Sequence, residues 1–243
     1  MSEKLRVNEI YLSAQGESAR AGLPCVFVRL TACNLRCSYC DTAYAFTEGR
    51  EMTLDGVLAR VAEIARPYAG QPGPRLPMVE LTGGEPLLQA GALTLMRELC
   101  EAGYTTLVET SGALDISPVD ARVHRIMDLK CPSSGESGRN RWENLASLRD
   151  SDEIKFVIGT EQDYEWAREQ IAKRGLAAVC PLLFSWVSPL LPHQQNPSLK
   201  RVPEGQTPVT MAWLVERMLA DAIPARFQLQ MHKFIWPPDR RGV

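Results

Sequence analysis

Cys33-Asn34-Leu35-Arg36-Cys37-Ser38-Tyr39-Cys40-Asp41-Thr42 holds three cysteines within eight residues, spaced C-x3-C-x2-C. A loop this short turns three thiolates onto one soft metal centre. Thiolates suit iron–sulfur clusters, zinc or Cu(I). A [4Fe-4S] cluster commonly takes four cysteines; with three, one iron stays open to bind a small molecule and pass it an electron. Structural zinc is instead closed by four ligands, often from two Cys/His pairs. Here Cys25, Cys100, Cys131 and Cys180 stand singly, and His124, His193 and His232 form no pair. The spacing alone leaves open a redox cluster, zinc closed by Cys25, or unligated thiols.

The cysteine loop follows Cys25-Val26-Phe27-Val28-Arg29-Leu30, which reads as a buried strand bounded by Gly22 and Pro24. A metal loop hung on a strand end sits on a rigid scaffold. The pattern then repeats. Strands are expected at Met78–Thr82, Thr105–Glu109, Arg125–Leu129, Glu153–Ile158 and Ala178–Val187. A short strand at Glu9–Ser13 precedes them, and a last one runs from Arg226 to Ile235. Helices are expected after Thr53, from Leu87 to Ala102, from Arg141 to Leu148, through Tyr164, Ala167 and Ile171, and through Met211 to Leu219. Gly70 to Pro77 reads as a loop. About six strands alternating with helices imply an α/β fold, a partial, open parallel β/α barrel with its functional loops at the strands' C-terminal ends. The unusual loops after Leu30, Leu81, Val108 and Leu129 all fall on that rim.

The 243 residues suit a single domain spanning 1–243, with the cysteine loop at 31–42 and a tail at 232–243. A net charge of -2 gives no sign of nucleic-acid binding, and Arg240-Arg241 reads as a solvated tail. No apolar run approaches a membrane span. Seven cysteines behind a charged start, Met1 to Arg6, point to a reducing cytoplasm.

Three features together resemble the radical S-adenosylmethionine enzymes: the cysteine spacing, Tyr39 before the third cysteine, and Gly83-Gly84-Glu85-Pro86 ending the next strand. That resemblance implies a [4Fe-4S] cluster whose open iron holds S-adenosylmethionine, and reductive cleavage to a 5′-deoxyadenosyl radical. A narrower resemblance rests on Ala14-Gln15-Gly16-Glu17, Phe27-Val28-Arg29-Leu30, Cys40-Asp41-Thr42, Thr82-Gly83-Gly84-Glu85-Pro86, Glu109-Thr110-Ser111-Gly112 and His232-Lys233. These are similar to the 7-carboxy-7-deazaguanine synthase family. The family converts 6-carboxy-5,6,7,8-tetrahydropterin to 7-carboxy-7-deazaguanine with release of ammonia, on the way to queuosine and other 7-deazapurines. The resemblance implies Mg2+, a homodimer, and an electron donor such as flavodoxin or ferredoxin.

Position by position, it implies that Cys33, Cys37 and Cys40 carry the cluster and hence the catalytic centre. Tyr39, Asp41, Gly84, Glu85, Ser111, Lys130 and Ser133 would contact S-adenosylmethionine, with the glycines letting backbone approach it. Ala14, Gln15 and Gly16 would receive the pterin edge, and Arg29 would take the substrate carboxylate through its planar fork. Thr82, Glu109 and His232 would also touch substrate, and Thr42 would ligate Mg2+. Each has a plainer reading. Arg29 could be a rim arginine, Thr42 and Asp41 a cap, Glu109 the partner of a lysine, and His232 a core histidine. An enzyme that installs a glycyl radical in a protein partner shares the cysteines and Gly-Gly-Glu-Pro but needs neither Gln15-Gly16-Glu17 nor Arg29. A zinc-stabilised binding module is the non-catalytic alternative.

Overall fold

The computed structural model describes residues 3–70 and 76–243, so most of the expected Gly70–Pro77 loop lies outside the described residues. The strands are β1 (Lys4–Ala14), β2 (Pro24–Leu30), β3 (Arg50–Thr53), β4 (Met78–Gly83), β5 (Thr106–Thr110), β6 (His124–Leu129), β7 (Glu153–Ile158), β8 (Leu182–Trp186) and β9 (Arg226–Gln228). They form one sheet in the order β3-β1-β2-β4-β5-β6-β7-β8-β9. From β2 to β9 every pairing is parallel, while β1 runs antiparallel to β2 and β3. The parallel run therefore has seven strands, and β3 and β9 are left as edges of an open barrel.

Strand alternation sorts the side chains. Val26, Val28 and Leu30, then Val79 and Leu81, and later Ile154, Phe156 and Ile158 turn outward into the main core. That core is covered by α1 (Leu54–Ala65), α2 (Gly91–Glu101), α3 (Glu161–Arg174) and α4 (Met211–Ala220). Thr53, Thr160 and Thr210 cap α1, α3 and α4 by accepting a backbone N–H. Tyr164 of α3 sits edge-on to Phe184 and to Trp213 of α4, locking the two helices to the sheet. On the inner face Cys25, Phe27, Met78, Leu107 and Ile126 form a second apolar cluster, which plugs the barrel at the strands' N-terminal side. Two to four residues further along the same strands, the inner positions become Arg29, Thr82, Glu109 and Asp128, and these line a cavity.

Several expectations need correction. Arg50–Thr53 pairs with β1, although its charged residues give no strand signal; an edge strand needs only one buried face. The stretch after Pro86 starts as a 3-10 turn, Pro86–Leu88, and α2 begins only at Gly91. Residues 141–148 hold a 3-10 helix, Trp142–Ser147, and Pro181 stays outside β8. The last strand stops at Gln228. The Met231 N–H then donates to the Gly16 carbonyl at 3.0 Å, and the chain turns into α5 (His232–Ile235). Phe234 and Ile235, the apolar residues that suggested a strand, are 62% and 53% exposed.

Candidate active site

One cavity of about 260 Å³ opens at the C-terminal rim of the sheet, on the scale of a small molecule. Cys33, Cys37 and Cys40 line it, together with Tyr39, Asp41, Thr42, Gly84, Ser111 and Lys130. Ala14, Gln15, Gly16, Arg29, Thr82, Glu109 and His232 line it too. Two sequence-derived residues stand behind the lining. Glu85 is fully buried, and its carboxylate accepts from Leu87 N–H, from the Thr110 hydroxyl, and from both the N–H and hydroxyl of Ser111. Ser133 donates its N–H to Asp163 at 2.7 Å, tying the loop after β6 to α3.

Burial pushes all three cluster-loop thiols up, with Cys40 raised to about 12 by burial and by the neighbouring Asp41. Against this, the Leu35 N–H donates to Cys33 Sγ at 3.4 Å, Thr42 backbone donates to Cys40, and the Lys130 ammonium favours the thiolates of Cys33 and Cys37. N–H donors and a nearby cation suit cluster sulfurs, whose potential such contacts tune. Among the described residues no three His, Cys, Asp or Glu side chains converge on a point that would hold a single metal ion. Beside the cysteines, the Tyr39 hydroxyl and Asp128 Oδ1, both from residues lining the cavity, are buried without a partner among the described residues. Such orphans fit a polar ligand that would satisfy them.

The glycines at the end of β4 have a packing role that the sequence did not show. A Cβ on Gly83 would come within 2.2 Å of the Leu30 carbonyl oxygen. One on Gly84 would meet the Ala32 carbonyl oxygen at 2.3 Å and Cys33 Cβ at 2.7 Å. The close approach is to the cluster loop itself. Gly84→Ala is therefore expected to cost about 1–3 kcal/mol through overpacking and to lower iron and sulfide per chain after reconstitution. Full cluster loading with an unchanged melting temperature would contradict it.

Arg29 is fixed from two sides: its Nε donates to Glu9 at 2.7 Å and its Nη2 to the Tyr11 hydroxyl at 2.8 Å. Tyr44 donates to the same Glu9 oxygen at 3.0 Å. Opposite, Lys155 is 5% exposed and contacts Glu17 at 2.9 Å, Asp128 at 4.0 Å and, more closely still, Glu109. Glu109 thus has its lysine and also lines the cavity. Although burial opposes it, the Lys233 ammonium at 2.5 Å holds Asp41 down to about 2. The Thr42 hydroxyl donates to Asp41 rather than capping a helix. His232 packs under Gly16, where a Cβ would lie 2.7 Å from Nδ1, and burial lowers its pKa, which keeps the ring neutral at pH 7.

The tail is not simply solvated. Pro238 to Val243 line the cavity mouth, with Arg241 stacked 3.8 Å over Tyr44 and paired with Glu48 at 2.7 Å. Sequence reasoning also missed Glu9, Glu17, Glu80, Asp128 and Lys155. For all of these except Glu17, which lies in the loop after β1, the signal was a charged residue at alternate positions of otherwise apolar strands, as in Met78-Val79-Glu80-Leu81-Thr82 and Glu153-Ile154-Lys155-Phe156.

A model of the radical SAM superfamily matches residues 28–133. A 7-carboxy-7-deazaguanine synthase of Koribacter versatilis is 43% identical over 98% of this chain and all of its own length. One from Chlorobaculum tepidum is 42% identical over 98% of this chain and 97% of its own. The crystal structure of QueE from Escherichia coli shares the fold with a TM-score of 0.65 at 20% identity, covering 94% of this chain and 95% of that one. Near-complete alignment at this identity leaves one assignment: the chain belongs to the 7-carboxy-7-deazaguanine synthase family of the radical S-adenosylmethionine superfamily.

Proposed function

We propose that this chain contracts the ring of 6-carboxy-5,6,7,8-tetrahydropterin to 7-carboxy-7-deazaguanine and releases ammonia, in 7-deazapurine and queuosine biosynthesis. The observation that carries the reading is Arg29, held by Glu9 and Tyr11 in the same cavity as the three cysteines. An anchored guanidinium facing a redox centre suits a small carboxylate substrate. Family membership disfavours the activating enzyme and the zinc module.

Cys33, Cys37 and Cys40 would hold the cluster, with S-adenosylmethionine at its open iron; together, when bound, these supply the electron and the hydrogen-abstracting radical. Tyr39, Asp41, Gly84, Ser111 and Lys130 are proposed to bind S-adenosylmethionine, with Glu85 orienting Ser111 and Ser133 bracing the loop. Arg29 binds the substrate carboxylate. Ala14, Gln15, Gly16, Thr82, Glu109 and neutral His232 orient the ring, and the 238–243 tail excludes water. Thr42 offers Mg2+ a hydroxyl, which fits an ion that takes few protein ligands. A flavodoxin- or ferredoxin-like donor, a homodimer and a cytoplasmic site complete the proposal, with 1–243 acting as one domain.

The test is anaerobic turnover by reconstituted protein with S-adenosylmethionine, a strong reductant, Mg2+ and the carboxytetrahydropterin, followed by mass spectrometry. The expected result is 7-carboxy-7-deazaguanine. Formation of 5′-deoxyadenosine without that product overturns the substrate. Neither product, from protein shown to hold its cluster, overturns the reaction.

A further inference from the structure

Glu80 is a cavity carboxylate that the proposed reaction leaves without a role. It sits on the inner face of β4, is 2% exposed, and lines the cavity. Its Oε2 accepts a short hydrogen bond from the Gln15 amide, and Gln15 in turn is fixed because its Oε1 accepts the Glu17 N–H at 2.7 Å. Glu80 Oε1 has no protein partner among the described residues.

The groups around it come from several strands: Cys25 and Arg29 on β2, Tyr11 on β1, Glu109 on β5 and Lys155 on β7, with Glu17 in the loop after β1 and Asp128 on β6 on the far side of Lys155, 4.0 Å from it. Both cations are already engaged. Lys155 is shared by Glu17 and Glu109, and Arg29 is paired with Glu9. A buried carboxylate with no cation of its own is costly, and such a group takes a proton instead. Burial first, then repulsion from Glu109 and Glu17, pushes the Glu80 carboxyl well above its usual range despite Lys155 and Arg29. With Oε2 occupied as an acceptor, the proton belongs on Oε1.

We propose that Glu80 is a specificity-determining residue: its carboxylic acid, clamped by Gln15, donates an O–H hydrogen bond from Oε1 to an acceptor atom of the substrate's pyrimidinone ring. The inference rests on the substrate reading above. A buried donor of this kind rejects a ring that lacks the acceptor, because the donor would then be left unpaired.

The test uses anaerobic, cluster-loaded protein with S-adenosylmethionine, and 6-carboxypterin as a fluorescent binding probe. Glu80→Gln keeps a neutral donor facing the cavity and an acceptor for Gln15. It is expected to bind the probe within about threefold of wild type, whereas Glu80→Met, of similar size, should bind about tenfold to hundredfold more weakly. A second readout needs no ligand. The folded state holds the Glu80 proton more tightly than the unfolded chain, so its stabilising contribution is complete below the ordinary carboxyl range and is lost as pH rises. Glu80→Gln should therefore match wild type near pH 4.5 and melt about 2–4 °C higher at pH 8.

Loss of probe binding in Glu80→Gln, or full binding by Glu80→Met, overturns the inference. So does a Glu80→Gln melting difference that does not grow with pH. Failure of wild type to bind 6-carboxypterin overturns the substrate reading itself, and this inference with it.

Discussion

Arg29→Ala is expected to lower kcat/KM for the carboxytetrahydropterin by about 30- to 4000-fold. The magnitude follows from truncating one partner of a buried, hydrogen-bonded charge contact, roughly 2–5 kcal/mol, at about 1.4 kcal/mol per tenfold. Reductive cleavage of S-adenosylmethionine should persist in the variant, because Arg29 touches none of the cysteines and its fixed partners are Glu9 and Tyr11. The signature is thus uncoupling: 5′-deoxyadenosine with little deazaguanine product. Arg29→Lys should recover little, since one ammonium cannot hold Glu9 and Tyr11 and still present a planar fork. Glu9→Gln tests the positioning, and should raise KM more than it lowers kcat. A variant lacking the guanidinium yet retaining turnover within threefold of wild type would remove Arg29 from the substrate site.

Lys155→Met is expected to be the most destabilising single change in the cavity, by about 3–5 kcal/mol at pH 7–8. It strips the ammonium from Glu17 and Glu109, leaving Glu80 and Asp128 nearby, so buried carboxylates face one another without compensation. In the wild-type protein the Lys155 ammonium lowers the Glu17 pKa although burial acts the other way. That contribution is present above the ordinary carboxyl range and fades as pH falls through the folded value. In the variant Glu17 becomes a buried acid with a raised pKa, and Glu109, already raised by burial, rises further, so the penalty should grow with pH and shrink below about pH 5. Adding Glu109→Gln should restore part of the loss. Urea unfolding at several pH values checks both points, and a deficit independent of pH would show that Lys155 acts by packing rather than by charge.

The features legible in the chain were those that one short segment can carry. Cys33, Cys37 and Cys40 are read from their spacing, because the few residues between them set how the thiols meet. The buried strands at Cys25–Leu30 and Met78–Thr82 were legible because an apolar run between glycine and proline has few other uses. The alternation of strands and helices implied the open parallel barrel, although not β3, whose charged residues need only one covered face, and not α5, whose apolar side chains face outward. Gly83 and Gly84 were recognised, but the reason for them, contact with Leu30, Ala32 and Cys33, depends on β4 lying beside β2.

The charge system of the cavity is different in kind. Glu17, Glu80, Glu109, Asp128 and Lys155 come from five separate parts of the chain, and each alone looks like an ordinary charged residue. Strand register decides that Glu80, Glu109, Asp128 and Lys155 share one inner face beyond the plug of Cys25, Met78, Leu107 and Ile126, and the loop after β1 brings Glu17 against Lys155. A shift of one residue in any of these strands would turn its charge into the helix-covered core. The sequence by itself therefore determined the cluster loop, the fold class and the family. Which carboxylate is paired, which keeps a proton, and how Arg29 is held were decided only by the tertiary structure, because these depend on distances between strands remote in sequence and on the burial the curved sheet imposes.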